Sequence, residues 1–157
     1  MGSMNPAKTS SIIKSIKKSW KGNLGIHTHD NMGLALANTL QAHSDGVNWL
    51  DATVTGMGRG PGKAKTEELV IELESIYNNN INFVPLMSII ENYFAPLKKK
   101  LGWGTNPYYY LAGKYGIHPT YIQEMLAKNY SETELLTAID QLRISGAARY
   151  NADLVKS

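Results

Sequence analysis

The chain contains no cysteine, which excludes disulfides and any thiolate metal site. No apolar run approaches the roughly 18 residues that a membrane-spanning helix needs. The sequence opens without a charged and apolar leader, so the expected location is the cytoplasm. Charge of either sign is modest: 16 Lys and Arg against 13 Asp and Glu leave a net charge of +3. The one basic run, Lys98-Lys99-Lys100, reads as a solvated helix end, and no nucleic-acid motif accompanies it. Disulfide scaffolds, membrane proteins and nucleic-acid binders are therefore set aside. What is present is 157 residues, a length that suits one domain.

The chemistry concentrates in Gly25-Ile26-His27-Thr28-His29-Asp30-Asn31. Residues two apart on a strand share a face, so His27 and His29 present two imidazoles side by side. Imidazole is the commonest transition-metal ligand among side chains. The plainer reading of the pair alone is two half-exposed strand histidines. Its context is a β-α-β unit. Leu24 to His29 reads as a strand, Met32 to Ser44 as a helix, and Val47 to Val54 as a second strand carrying Asp51 and Thr53. Thr55 to Ala64 then holds glycines at the alternate positions 56, 58, 60 and 62, which allow close backbone approach and positive φ. A helix follows over Glu67 to Tyr77. Strand, helix and strand of this length imply a right-handed parallel crossover. Sites in such units lie at the carboxyl ends of the strands, where both the histidines and the glycine loop fall.

The segment from Gly25 to Leu69 resembles the pyruvate-carboxyltransferase-like, or HMG-CoA-lyase-like, family of metal-dependent (β/α)8 barrels. The motifs that carry the resemblance are His27-Thr28-His29-Asp30-Asn31, Gly33-Leu34-Ala35-Leu36-Ala37-Asn38, Asp51-Ala52-Thr53-Val54-Thr55-Gly56-Met57-Gly58 and Gly62-Lys63-Ala64-Lys65-Thr66-Glu67. They stand in the family's order on its seventh and eighth strands. The aldolase branch, typified by 4-hydroxy-2-oxovalerate aldolase, is the nearest in pattern. The opening Met1-Gly2-Ser3-Met4-Asn5-Pro6 resembles the loop after the sixth strand. Asn5 then serves as a helix cap and Pro6 as a first helical residue, leading into a helix over Lys8 to Trp20 with Ile12, Ile13 and Ile16 inward.

The resemblance implies an α/β fold: a partial (β/α)8 barrel, its last two strands, over residues 1–78, followed by an all-helical appendage over 79–157. A whole barrel needs roughly 250 residues, so the chain reads as the carboxy-terminal portion of a larger enzyme. In the appendage, helices are expected from Val84 to about Leu101 (Met87, Ile90, Tyr93, Phe94 and Leu97 inward), Tyr108 to Tyr115, Pro119 to Ala127, and from a capped start at Ser131 to about Leu142. The function implied is divalent-metal-dependent cleavage of C–C bonds in 4-hydroxy-2-oxo acids, inactive in this portion alone. His27 and His29 would hold Mn²⁺ or Mg²⁺, with Asp51 structural or beside the histidines. Asn31, Gly58, Arg59 and Lys63 would meet the 2-oxo acid, and Tyr108 would approach it from the appendage. Lys63 departs from the family, whose usual residue there is Asn; a protonated lysine cannot ligate a metal. Arg59 and Lys63 read equally well as solvated loop charges, and the tyrosine cluster as core. Two parallel strands with unpaired edges lead to the expectation of a homo-oligomer, and the resemblance implies an aldehyde dehydrogenase partner. Two other readings stand beside this one: an acyl-CoA-condensing synthase of the same family, and a non-catalytic piece.

Overall fold

The computed structural model describes residues 2–151; Met1, the first residue of the opening loop, lies outside them. Helix α1 (Pro6–Ser19) starts where the Asn5 side chain accepts the Lys8 N–H at 2.9 Å, with Pro6 in the first turn. Of its three inward candidates only Ile13 is buried, against Ala42, Val47 and the partly buried Leu24, Ile26 and Leu50. Ile12 and Ile16 instead keep 49% and 41% of their surface exposed. The apolar stripe of α1 is wider than the surface offered to it, and both side chains border an apolar groove.

Strands β1 (Gly25–His27) and β2 (Trp49–Asp51) pair in parallel, with His27 opposite Asp51. Helix α2 (Ala35–Ser44) crosses between them, and its Ala35 N–H donates to Asp30 Oδ1 at 3.0 Å. Both strands are shorter than the sequence suggests, for a specific reason. The returning arm of the glycine loop takes the backbone bonds that would have extended the ladder. Asp30 donates its N–H to Gly62 O, and Thr53 donates its N–H to Ala64 O, both at 3.0 Å. His29 thus bridges Lys63 in antiparallel fashion, and Thr53 bridges Lys65 in parallel. Between them, Val54–Gly56 forms a 3-10 turn with Thr55 at φ 54. A non-glycine residue there is strained. Two bonds hold it: the Thr55 N–H donates to Glu67 Oε2 at 2.9 Å, and its carbonyl accepts Trp103 Nε1–H at 3.0 Å.

Helix α3 (Thr66–Tyr77) follows. The expected long helix from Val84 is three pieces in sequence: α4 (Val84–Ile89), a π turn (Ile90–Phe94) and α5 (Ala95–Leu101). Pro96 has no N–H to give to a carbonyl one turn back, and the widened turn sits just before it. The widening rotates the inward face to Leu86, Ile90, Phe94 and Leu97. Met87 and Tyr93, expected inward, are 40% and 70% exposed.

The last three helices, α6 (Pro107–Tyr115), α7 (Pro119–Ala127) and α8 (Glu132–Ser145), form a second core. Tyr121, Ile122, Met125, Leu135 and Ile139 are at most 3% exposed there. Each such burial contributes about 1.5–3 kcal/mol. Three contacts dock this bundle on the strand ends: Trp103 on Thr55, Thr105 Oγ1–H donating to Asn31 O at 2.7 Å, and Gly104 N–H donating to Gly60 O at 3.0 Å. Among the described residues no helix is long and apolar enough to cross a membrane.

Candidate metal and substrate site

The strand ends set the site. Strand alternation turns Thr28 inward, where its hydroxyl meets Ala35 O at 3.2 Å and Thr39 Oγ1 at 2.9 Å. His27 and His29 share the other face, their rings edge to face with centroids 5.0 Å apart. The strand register puts Asp51 beside His27, and His27 Nδ1–H donates to Asp51 Oδ2 at 2.5 Å. In the neutral ring that bond keeps the proton on Nδ1, so that Nε2 is the atom that could meet a metal. Packing around His29, then the charges of His27 and Lys63, push its imidazole below its ordinary 6.5. It is therefore neutral, the ligating form, at neutral pH.

These two imidazoles fit a divalent metal in donor type and in the strand face they share. They offer two ligands; among the described residues no group of three His, Cys, Asp or Glu could hold an ion. Asn31 is 1% exposed, and neither amide atom has a hydrogen-bond partner among the described residues. Gly2 lies over it so closely that a Cβ there would fall 2.0 Å from Asn31 Oδ1. In the glycine loop, Gly56, Gly60 and Gly62 take φ of 70, 60 and 79, while Gly58 does not enter the left-handed region. Gly58 lies against the aliphatic chain of Lys63. Tyr108 packs against the helical core. Its neighbour Tyr109 is the one that meets the glycine loop: a Cβ on Gly60 would sit 3.1 Å from its hydroxyl. Burial pushes the Tyr109 phenol above its ordinary value.

A cleft of about 360 Å³ unites most of these groups. His27, His29, Arg59 and Lys63 form one side, and His118, Thr120 and Gln123 of the helical bundle form the other. Among the described residues no carboxylate lines it. Sequence reasoning missed His118 and Gln123. One signal was available: the chain has four histidines, and His118 directly precedes a proline that opens a helix, an N-cap position. The structure makes it that cap. His118 Nδ1 accepts the Thr120 N–H at 3.3 Å, and the His118 N–H donates to Ala147 O at 3.1 Å. Partial burial, with a contribution from Arg59, holds this imidazole below its ordinary value.

Residues 1–92 match the model of the HMGL-like family. A 4-hydroxy-2-oxovalerate aldolase of Carboxydothermus hydrogenoformans is 33% identical over 100 residues, which is 63% of this chain and 30% of that protein. Its counterpart in Thermus thermophilus is 34% identical over 98 residues, 61% of this chain and 28% of that protein. The chain thus spans under a third of the length of these curated relatives. Among solved structures, the N-terminal domain of a "putative aldolase" from Bacteroides vulgatus superposes with a TM-score of 0.76 at 36% identity. It covers 87% of this chain and 45% of that one. The HMG-CoA lyase of Bacillus subtilis gives a TM-score of 0.51 at 27% identity, over 66% of this chain and 36% of that one. With more than half of its length matched by the family model, and with the paired histidines at the end of β1 and the glycine loop after β2 falling inside the match, the chain belongs to the HMGL-like family.

Proposed function

We propose that this chain carries the histidine half of the metal site, and the helical cover, of a divalent-metal-dependent aldolase acting on 4-hydroxy-2-oxo acids. In this reading β1 and β2 are two neighbouring strands of a (β/α)8 barrel. Residues 1–78 are its barrel part and 79–157 an appendage. The observation that carries the reading is the His27–Asp51 pair across the parallel register, beside His29. A carboxylate on the far nitrogen of an imidazole orients it and raises its basicity as a ligand. The names of the matched relatives support the same chemistry.

His27 and His29 would hold Mn²⁺ or Mg²⁺. A divalent cation there supplies positive charge against the negative charge that builds on a 2-oxo acid as its C–C bond breaks. The chain's own residues do the rest of what is proposed for it. Asp51 keeps the His27 proton on Nδ1. Arg59 and Lys63, which make no ion pair among the described residues, attract an anionic substrate to the cleft. Helix α7 and its cap His118 border the cleft opposite the histidine pair.

Calorimetric titration of the chain with Mn²⁺ tests the assignment without requiring turnover. His29→Ala is expected to abolish measurable binding. Asp51→Asn is expected to weaken it about 10–100-fold, the usual cost of losing such a partner. Unchanged affinity in both variants, with unchanged circular dichroism, would remove the histidine pair as the metal site.

A further inference from the structure

The cleft carries more positive charge than a simple 2-oxo acid can neutralise. In the reading above, the single carboxylate of such a substrate goes to the metal at His27 and His29. Two cations, Arg59 and Lys63, remain in the same cleft, and among the described residues its lining holds no acid. Opposite the metal histidines stands His118, whose position is fixed twice. Its backbone N–H is held by Ala147 O, and its Nδ1 accepts the Thr120 N–H. With Nδ1 used as an acceptor, the ring proton is on Nε2, so the imidazole offers a donor to the cleft. Gln123, one turn further along α7 than Pro119 and Thr120, lies on the same face and adds an amide.

We propose that Arg59, Lys63 and His118 form a second anion site, and that the substrate is a 2-oxo acid bearing another anionic group, carboxylate or phosphoryl, at its far end. This rests on the aldolase reading and narrows its substrate class. A guanidinium and an ammonium favour such a group by charge-assisted hydrogen bonds, with His118 as a neutral donor beside them. An aliphatic tail in the same place would offer none of the three an acceptor.

The test is calorimetry on the Mn²⁺-loaded chain with three probes: 2-oxobutyrate, whose tail is neutral, 2-oxoglutarate and phosphonopyruvate. One or both dianions should bind about tenfold more tightly than 2-oxobutyrate, as charge-assisted bonds would give. The tighter of the two identifies the group as carboxylate or phosphoryl. Arg59→Gln and His118→Gln should each bring the ratio of dianion to 2-oxobutyrate affinity to within about twofold, whatever general weakening the loss of charge brings to all three probes. Arg59 is exposed, so its variant keeps the fold even if loss of the His118 cap loosens α7. If 2-oxobutyrate binds and the dianions bind no better, or the preference survives both substitutions, the second anion site is refuted and the aldolase reading stands. If Mn²⁺ binds and none of the three 2-oxo acids does, the aldolase reading falls and the inference falls with it.

Discussion

Gly58 and Gly62 look alike in the sequence, and the structure gives them opposite tolerances. Gly62 takes φ 79, and a Cβ on it would stand 2.5 Å from Gly56 O. Gly58 has ordinary φ, and its Cβ would meet the flexible end of Lys63 at 3.1 Å. Gly62→Ala should therefore cost about 2 kcal/mol or more, from left-handed strain plus a backbone clash. Gly58→Ala should cost less than about 0.5 kcal/mol, since a methylene of Lys63 can move aside. Urea melts of the two variants would check this, and equal losses would show that the loop does not hold the described backbone. The same contrast shows where residue-level reading ends. Alternation alone placed His27 and His29 on one face, because period 2 is built into the strand. The resemblance left Asp51 either structural or beside the histidines; the structure pairs it with His27, a choice the strand pattern could not make because parallel register is set by the geometry of the α2 crossover and not by either strand. Likewise Tyr108 and Tyr109 are neighbours in a tyrosine run. Only the docking of α6 decides that Tyr109 meets Gly60.

At the scale of the element, ends are governed by local chemistry, and these were the most legible parts of the chain. Asn5 and Ser131, both read as helix starts, cap α1 and α8 with side-chain acceptors, whereas the cap of α6, Asn106, went unread and the helix starts at Pro107 and not Tyr108. The strands were overextended in the sequence reading because competition for their backbone groups comes from the glycine loop, which is not contiguous with them. The π turn before Pro96 was hidden for a related reason. A proline inside an apolar period signals a disturbance but not how many residues absorb it. The cap of α8 yields a pH prediction. The Ser131 N–H donates to Glu134 Oε2 at 2.7 Å, as does the Ser131 hydroxyl at 2.6 Å. The hydroxyl first, then the backbone N–H, hold the Glu134 carboxyl below its ordinary 4.5. A carboxyl with a lowered folded-state value stabilises the fold above its unfolded value and stops doing so as pH falls through the lowered one. Glu134→Ala should thus lower the thermal midpoint at neutral pH, and the gap to wild type should narrow steadily below pH 4.5. Circular-dichroism melts across that range read it directly. A gap that stays constant to pH 2 would mean that the carboxylate bonds contribute nothing.

For the whole molecule, the decisive feature is the groove between α1 and the sheet. Ile12, Ile13, Ile16, Leu24, Ile26 and Val47 border it, and Ile12 and Ile16 are 49% and 41% exposed. Trp49 of β2 is 69% exposed. Among the described residues β1 and β2 pair only with each other, so each has a free edge. Contiguous exposed apolar surface beside unpaired strand edges favours association with another chain. The 157-residue chain, purified alone, is therefore expected to self-associate in a concentration-dependent way. A substitution within the groove can separate this cause from general instability. Ile16→Lys introduces a charge at an exposed helical position where lysine is a good helix former, so α1 should persist. Burying one isoleucine contributes about 1.5–3 kcal/mol, so its replacement should raise the dissociation constant about tenfold or more. Sedimentation velocity over a concentration series, with helix content followed by circular dichroism, measures both quantities. A wild-type chain that remains monomeric at the highest concentration would overturn the expectation. So would an Ile16→Lys variant that associates as strongly as wild type with its helices intact, because the surface that drives assembly would then lie elsewhere.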